Sequence, residues 1–318
     1  MDEINSLVSL WLRTLRARNL SSATIGTYRA SAGQLTAALH DAGVFEVSAI
    51  GRRHVEDFIA HLVETRSAAT ASVRFRALQQ FFAWLIDEEE IAASPMMRMK
   101  PPTVPEHPVP VLSFDQVKVL IKACEGPTFV QRRDMAIIRL FLDTGMRLAE
   151  LTNLNAADLD LDDDLALVLG KGRRPRACPF GNKTALALGR YLRLRTKHAR
   201  ATDPALWLAE KNRPPMTHNG IAQVIRRRGE QAGIVGLHPH QLRHTAAHDW
   251  LAGGGNEGDA MRLFGWKSRQ MLSRYAASRS ETEYDRRVAA RSVVDHPWAG
   301  LDPATATAVQ GPAIRGVL

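Results

Sequence analysis

SPMMRMKPPTVPEHPVP, residues 94–110, places six prolines in seventeen positions. Proline holds φ near about −65°, has no backbone N–H, and biases the residue before it toward extended geometry. Neither a helix nor a central strand tolerates that density. The stretch is therefore read as a linker, with a domain boundary near residue 105. Charge changes across it as well. Residues 1–104 carry 11 Lys and Arg against 11 Asp and Glu, whereas residues 105–318 carry 31 against 22. The whole net charge of +9 thus belongs to the second part. A polyanionic partner is the simplest reason to tolerate such self-repulsion, although a basic surface can also serve only solubility.

On the N-terminal side the apolar residues keep helical spacing. Ile4, Leu7, Val8, Trp11, Leu12 and Leu15 form one stripe. A second helix, capped by Ser21 or Ser22, turns Ile25, Tyr28, Leu35 and Leu39 inward. Val55, Phe58, Ile59 and Leu62 mark a third, and Leu78, Phe81, Phe82 and Leu85 a fourth between about 71 and 86. Four amphipathic helices predict a small bundle. Beyond the linker, SFDQVKVLIKAC and residues 132–143 read as helices. DLDLDDDLALVLGKGRRPRACPF then alternates leucines with aspartates and predicts two or three short antiparallel strands around Gly170-Lys171-Gly172. From about Asn182 to Tyr275 the helical period returns, broken by Pro204, Pro214-Pro215 and the glycines at 253–255.

No apolar run approaches the ~20 residues a membrane span requires. MDEINSLVSLWLRTLRARNL begins acidic and alternates in polarity, so it does not read as a secretion signal. Cys124 and Cys178 stand far apart and in no metal spacing, which points to free thiols in a reducing cytoplasm.

Three separated segments hold the chemistry-bearing residues. TGMRLAEL places Arg147 and Glu150 one helical turn apart, where they could be an ordinary ion pair. GKGRRPR offers Lys171 at a turn, but glycine follows the lysine where a Walker A loop needs Ser or Thr. HPHQLRHTAAH, residues 238–248, sets His240, His244 and His248 on one helix face. That face suits zinc by spacing, packing, or a phosphate grip; no cysteine or carboxylate lies among the histidines to complete a metal set. Trp266 and Tyr275 follow nine residues apart, with Tyr284 a nearby competitor as nucleophile. Taken singly, each of these has a structural explanation.

Taken in order, Arg147, Lys171, His240-x-x-Arg243, Trp266 and Tyr275 resemble the box motif of the tyrosine recombinases, the phage-integrase and Xer-type site-specific recombinases. The resemblance covers nearly the whole chain. It implies a mainly α fold: an N-terminal four-helix core-binding domain (1–104, linker from about 94), an α-rich catalytic domain with a small antiparallel sheet (105–280), and a C-terminal tail (281–318). Arg147 and Arg243 are expected to clamp a scissile phosphate, since guanidinium offers a planar fork of donors at permanent positive charge. Trp266 would add an indole N–H donor. By resemblance Tyr275 is the nucleophile, His240 assists its proton transfer and Lys171 protonates the departing 5′ oxygen. Glu150 would buttress the site, His244 support it, and His248 pack.

The resemblance implies neither metal nor ATP, a double-stranded DNA partner carrying a specific recombination site, and a tetramer on DNA through a Holliday junction. It also implies tail residues 276–290 docking on a neighbouring protomer, cytoplasmic and nucleoid-associated work, and no membrane. Arg173, Arg174 and the run Arg226-Arg227-Arg228 are candidates for backbone phosphates, or only a solvated face. Trp266 stands where many members carry His, Phe264 replaces a common leucine, and Met271 and Leu272 replace frequent threonines. These departures tilt toward integrases of mobile elements. A type IB topoisomerase-like relaxing enzyme, a non-catalytic DNA-binding regulator and a metallohydrolase are the rival readings.

Overall fold

Helix caps and apolar periodicity account for most of the architecture. The computed structural model describes residues 2–105, 110–170 and 175–266. Two compact units divide between His107 and Pro108.

The N-terminal unit is built from α1 (Glu3–Ala17), α2 (Ser22–Asp41), α3 (Arg52–Thr65) and α4 (Ala68–Asp87). Asp2, Ser21 and Ser67 open α1, α2 and α4 by accepting from backbone N–H groups at Asn5, Thr24 and Thr70. The stripe Ile4, Leu7, Val8, Trp11, Leu12 and Leu15 is buried, as its spacing predicts. Trp11 stacks on Tyr28 at 5.4 Å between ring centroids and meets Phe81 at 5.1 Å, so α1, α2 and α4 share one aromatic core.

The second unit begins with α5 (Phe114–Lys122) and α6 (Phe129–Thr144). Ser113 and Thr128 cap them, each with a glutamine three residues on reaching back to the cap N–H. Almost every residue from Arg133 to Thr144 is buried, so α6 runs through the core. A five-residue helix, α7 (Leu148–Thr152), follows, then β1 (Leu159–Asp160), β2 (Leu165–Leu169) and β3 (Pro175–Pro179) in an antiparallel sheet of order β1-β2-β3. The register pairs Ala166 with Cys178 and Val168 with Arg176, which turns Ala166, Val168 and Cys178 toward the core. Helices α8 (Asn182–Arg195), α9 (His218–Gln231), α10 (Pro239–Ala252) and α11 (Glu257–Leu263) complete the described chain.

Between α8 and α9, residues 196–217 form a packed loop rather than helix. Arg195 donates to the carbonyls of Ala201, Asp203, Ala205 and Leu206, and Trp207 Nε1 donates to Leu151 O at 2.8 Å. The carboxylate of Asp134, fully buried, accepts from Arg133, Arg227 and Arg228. Arg228 is 7% exposed and also binds Ala123 O and Gln231, so the expectation that it contacts phosphate is corrected. Its burial commits it to the core. Arg227 spends one N–H on Asp134 while half exposed, and Arg226 is exposed.

Candidate active site

Arg147 sits where α6 has ended and α7 begins. Gly145 closes α6 in the left-handed region (φ 52°), and an added Cβ would lie 2.5 Å from Phe264 Cε1. Both constraints call for glycine. The chain then turns so that Arg147 caps α7, with Glu150 Oε2 accepting from the Arg147 N–H at 2.7 Å. Glu150 Oε1 accepts from Arg147 Nη1 at 2.9 Å. The pair predicted by spacing is therefore real, and it is bound twice.

Arg243 lies on the second turn of α10, whose first turn carries Pro239 after the cap residue His238. Its side chain is buried. Nη1 donates to Gly145 O at 2.5 Å and Nη2 to Phe264 O at 2.6 Å. Arg147 Nη2 donates to Gly265 O at 2.8 Å. The two guanidiniums are thus gathered on consecutive carbonyls at the end of α11. Two of the five N–H groups of Arg147 are committed among the described residues, and its side chain is 40% exposed. It keeps donors for an incoming anion.

A residue outside the expected set completes this cluster. Arg176, on β3, donates Nη1 and Nη2 to the two Glu150 oxygens at 2.8 Å each, and Nε to Leu263 O at 3.0 Å. Burial pushes the Glu150 carboxyl up, but the hydrogen bonds from Arg176 and the Arg147 N–H, with the Arg176 charge, overcome it. The carboxyl is held at about 2 against an ordinary 4.5. Glu150 is ionised throughout the neutral range.

His240 lies at the solvent-accessible start of α10, its ring 6.2 Å from that of His244. Burial of part of the ring, then the nearby charge of Arg243, lowers its pKa, which favours a neutral imidazole able to accept a proton. His248 is buried. Trp266 is buried against Phe264, ring centroids 5.0 Å apart. Among the described residues no group of three or more His, Cys, Asp or Glu could hold a metal ion. Lys171, Arg173, Arg174 and Tyr275 lie outside the described residues.

The described clamp gathers Arg147, Arg243, Arg176 and Glu150, with His240 on the same helix as Arg243 and Trp266 just past the bound carbonyls. A helical domain that carries such a clamp, with Arg147 40% exposed, suits the binding of an anionic group such as a phosphate. The phage integrase family matches residues 110–282, and the SAM-like N-terminal domain of phage integrases matches residues 7–91. The chain belongs to the phage integrase family. It is 29% identical to the tyrosine recombinase XerD of Bifidobacterium longum, over 79% of this chain and 85% of the relative. It is 30% identical to XerD of Corynebacterium glutamicum, over 82% of this chain and 90% of the relative. The XerH site-specific recombinase in a post-cleavage complex with its palindromic difH substrate shares the fold, with TM-score 0.70 at 19% identity, covering 83% of this chain and 79% of that one. The enzyme is of the tyrosine recombinase kind.

Proposed function

We propose that this chain is a site-specific DNA recombinase that breaks and rejoins duplex DNA through a 3′-phosphotyrosine intermediate. The observation that carries the reading is the convergence of Arg147 and Arg243 on the consecutive carbonyls of Gly265 and Phe264, with the Arg147 side chain 40% exposed. A phosphodiester repels nucleophiles, and attack concentrates charge on its non-bridging oxygens. Donors held in place where that charge grows are worth roughly 10²–10³ in rate each.

Tyr275 attacks phosphorus and the bond to the 5′ oxygen breaks. The phenol proton passes toward His240, which its lowered pKa keeps neutral, and Lys171 protonates the departing oxygen. Attack by a 5′ hydroxyl from a partner strand reverses the step. The bond energy stays in the phosphotyrosine, so the chemistry balances without metal or ATP. Each protomer offers one nucleophile and two duplexes present four strands, which supports a tetramer on a Holliday junction, with residues 276–290 contacting a neighbour. The bundle of residues 1–104 adds DNA contacts and residues 105–280 the chemistry. His244 supports the phosphate grip, and Arg173, Arg174, Arg226 and Arg227 lie on backbone phosphates. The place of work is the cytoplasm; no helix among the described residues is long and apolar enough to cross a membrane.

The test is incubation with suicide substrates carrying nicked candidate sites, followed by mapping of the modified residue. An adduct on Tyr275, lost in Tyr275→Phe, is expected. Recovery of the adduct on Tyr284, or its persistence in Tyr275→Phe, overturns the nucleophile assignment.

A further inference from the structure

We propose that Arg176 is a positioning residue for strand cleavage, acting through Glu150 to keep Arg147 oriented and electrically effective toward the phosphate. The inference rests on the recombinase reading of the same site. Three facts support it. Arg176 is largely buried, its side chain 14% exposed, and it grips both oxygens of a carboxylate that is itself only 5% exposed. Its Nε binds Leu263 O, while Arg243 binds Phe264 O and Arg147 binds Gly265 O. Three arginines from three elements therefore hold three consecutive carbonyls, and Arg176 takes the first. Gly265 itself is left-handed (φ 61°), and a Cβ there would lie 3.2 Å from Arg147 Nη1 and 3.4 Å from Arg176 Nη1. The turn is thus shaped around both guanidiniums.

Charge counting explains why the second arginine is needed. Glu150 paired with Arg147 alone would be neutral, and a carboxylate oxygen 2.9 Å from Nη1 would cancel most of the field that Arg147 presents to a phosphate. With Arg176 also bound to the carboxylate, the trio carries a net charge of +1. Glu150 then acts as a rigid spacer between two cations, and Arg147 keeps its charge. Bidentate pairing makes the spacer directional, which a lysine ammonium cannot reproduce.

The experiment compares the unaltered full-length chain with Arg176→Gln, Arg176→Lys and the double variant Arg176→Gln/Glu150→Gln. The probe is a pool of randomised duplexes carrying a nick, from which SDS-resistant adducts are recovered; the recovered sequences then serve for single-turnover rates and binding isotherms. Expected is a rate loss on the order of 100-fold in Arg176→Gln with affinity within about threefold, because the defect lies in transition-state contacts. Arg176→Lys should recover part of the rate. The double variant should be faster than Arg176→Gln alone by about tenfold, since it removes the unbalanced carboxylate; coupled neighbours depart from additivity in this way. Equal losses of affinity and rate, a rate within about threefold of the unaltered chain, or a double variant no faster than Arg176→Gln overturns the proposal.

Absence of any adduct from the unaltered chain would instead overturn the recombinase reading. The positioning claim is then read without DNA, by hydrogen exchange over residues 147–152 and 257–266. Faster exchange in both segments of Arg176→Gln, with α1 to α4 unchanged, supports it. Unchanged exchange in both segments overturns it.

Discussion

Arg243 serves structure and chemistry at once, and substitution separates the two. It caps the buried carbonyls of Gly145 and Phe264. Arg243→Ala strands both, and each unsatisfied group costs roughly 1–3 kcal/mol, so urea unfolding should show a loss of about 2–6 kcal/mol. Arg243→Lys keeps the charge but cannot span both carbonyls as a planar fork. It should lose less stability while adduct formation still falls by about 10²–10³. Loss of stability without loss of cleavage would remove Arg243 from the chemistry. Glu150 gives a pH signature. Its folded pKa of about 2 lies below the ordinary 4.5, so its contribution is fully present above pH 4.5 and disappears as pH falls through about 2. A shift of that size corresponds to about 3 kcal/mol. Denaturant midpoints followed from pH 5 to 2 should fall more steeply for the unaltered chain than for Glu150→Gln. The Arg147–Glu150 pair was legible from its i+3 spacing within one short segment, and Arg243 only from the resemblance of His240-x-x-Arg243 to the family's box. Arg176 was not, since its partner Glu150 is 26 positions away and it reads as one more arginine of a basic turn. The available clue was strand parity: position 176 shares its face with buried Cys178.

Elements built on long amphipathic repeats were legible to within a few residues, because burial of one face imposes the 3.6 period that the sequence displays. Helix α7 shows in the sequence only as the one-turn spacing of Arg147 and Glu150: five residues display no period, and a cap side chain rather than an apolar stripe holds it. The loop at residues 196–217 was read as interrupted helix, yet its order comes from Arg195 and Trp207 binding carbonyls, which leaves no periodic trace. Within the Arg226-Arg227-Arg228 run, Arg228 departs from its expected role for a related reason. Nothing in a charge run reveals that one member faces a buried carboxylate 94 positions away in sequence. Asp134 joins α6 to α9, and Arg133 Nη1 extends the link to Leu208 O at 3.0 Å. Asp134→Ala leaves buried Arg133 and Arg228 without their counter-charge, so a loss of about 3–5 kcal/mol is expected in urea unfolding. Arg227→Ala, half exposed, should cost below about 1 kcal/mol. Similar losses for both variants would show that Asp134 is not the hub.

At the scale of the molecule, two cores mean two separable jobs. The N-terminal unit has its own aromatic core around Trp11, Phe81 and Phe82, and the second unit has another around α6. The second unit also anchors its own start, since Leu112 N donates to Thr245 Oγ1 on α10 at 2.9 Å. A chain beginning at residue 110 should therefore fold with the Arg147, Glu150, Arg176 and Arg243 cluster intact. Charge division argues that this piece keeps most of the polyanion affinity, because residues 105–318 hold the entire surplus of nine positive charges. Yet a bundle with 11 basic and 11 acidic residues can still present its arginines on one face, and neutral total charge does not forbid phosphate contacts. Salt dependence decides between these. Each phosphate neutralised on duplex DNA steepens the slope of log affinity against log salt by about 0.9. If the N-terminal bundle grips DNA, the full chain should have a slope steeper than the 110–318 piece by several such increments, and a higher affinity at low salt. Equal slopes would assign every phosphate contact to the second unit and leave the bundle without a role on the backbone.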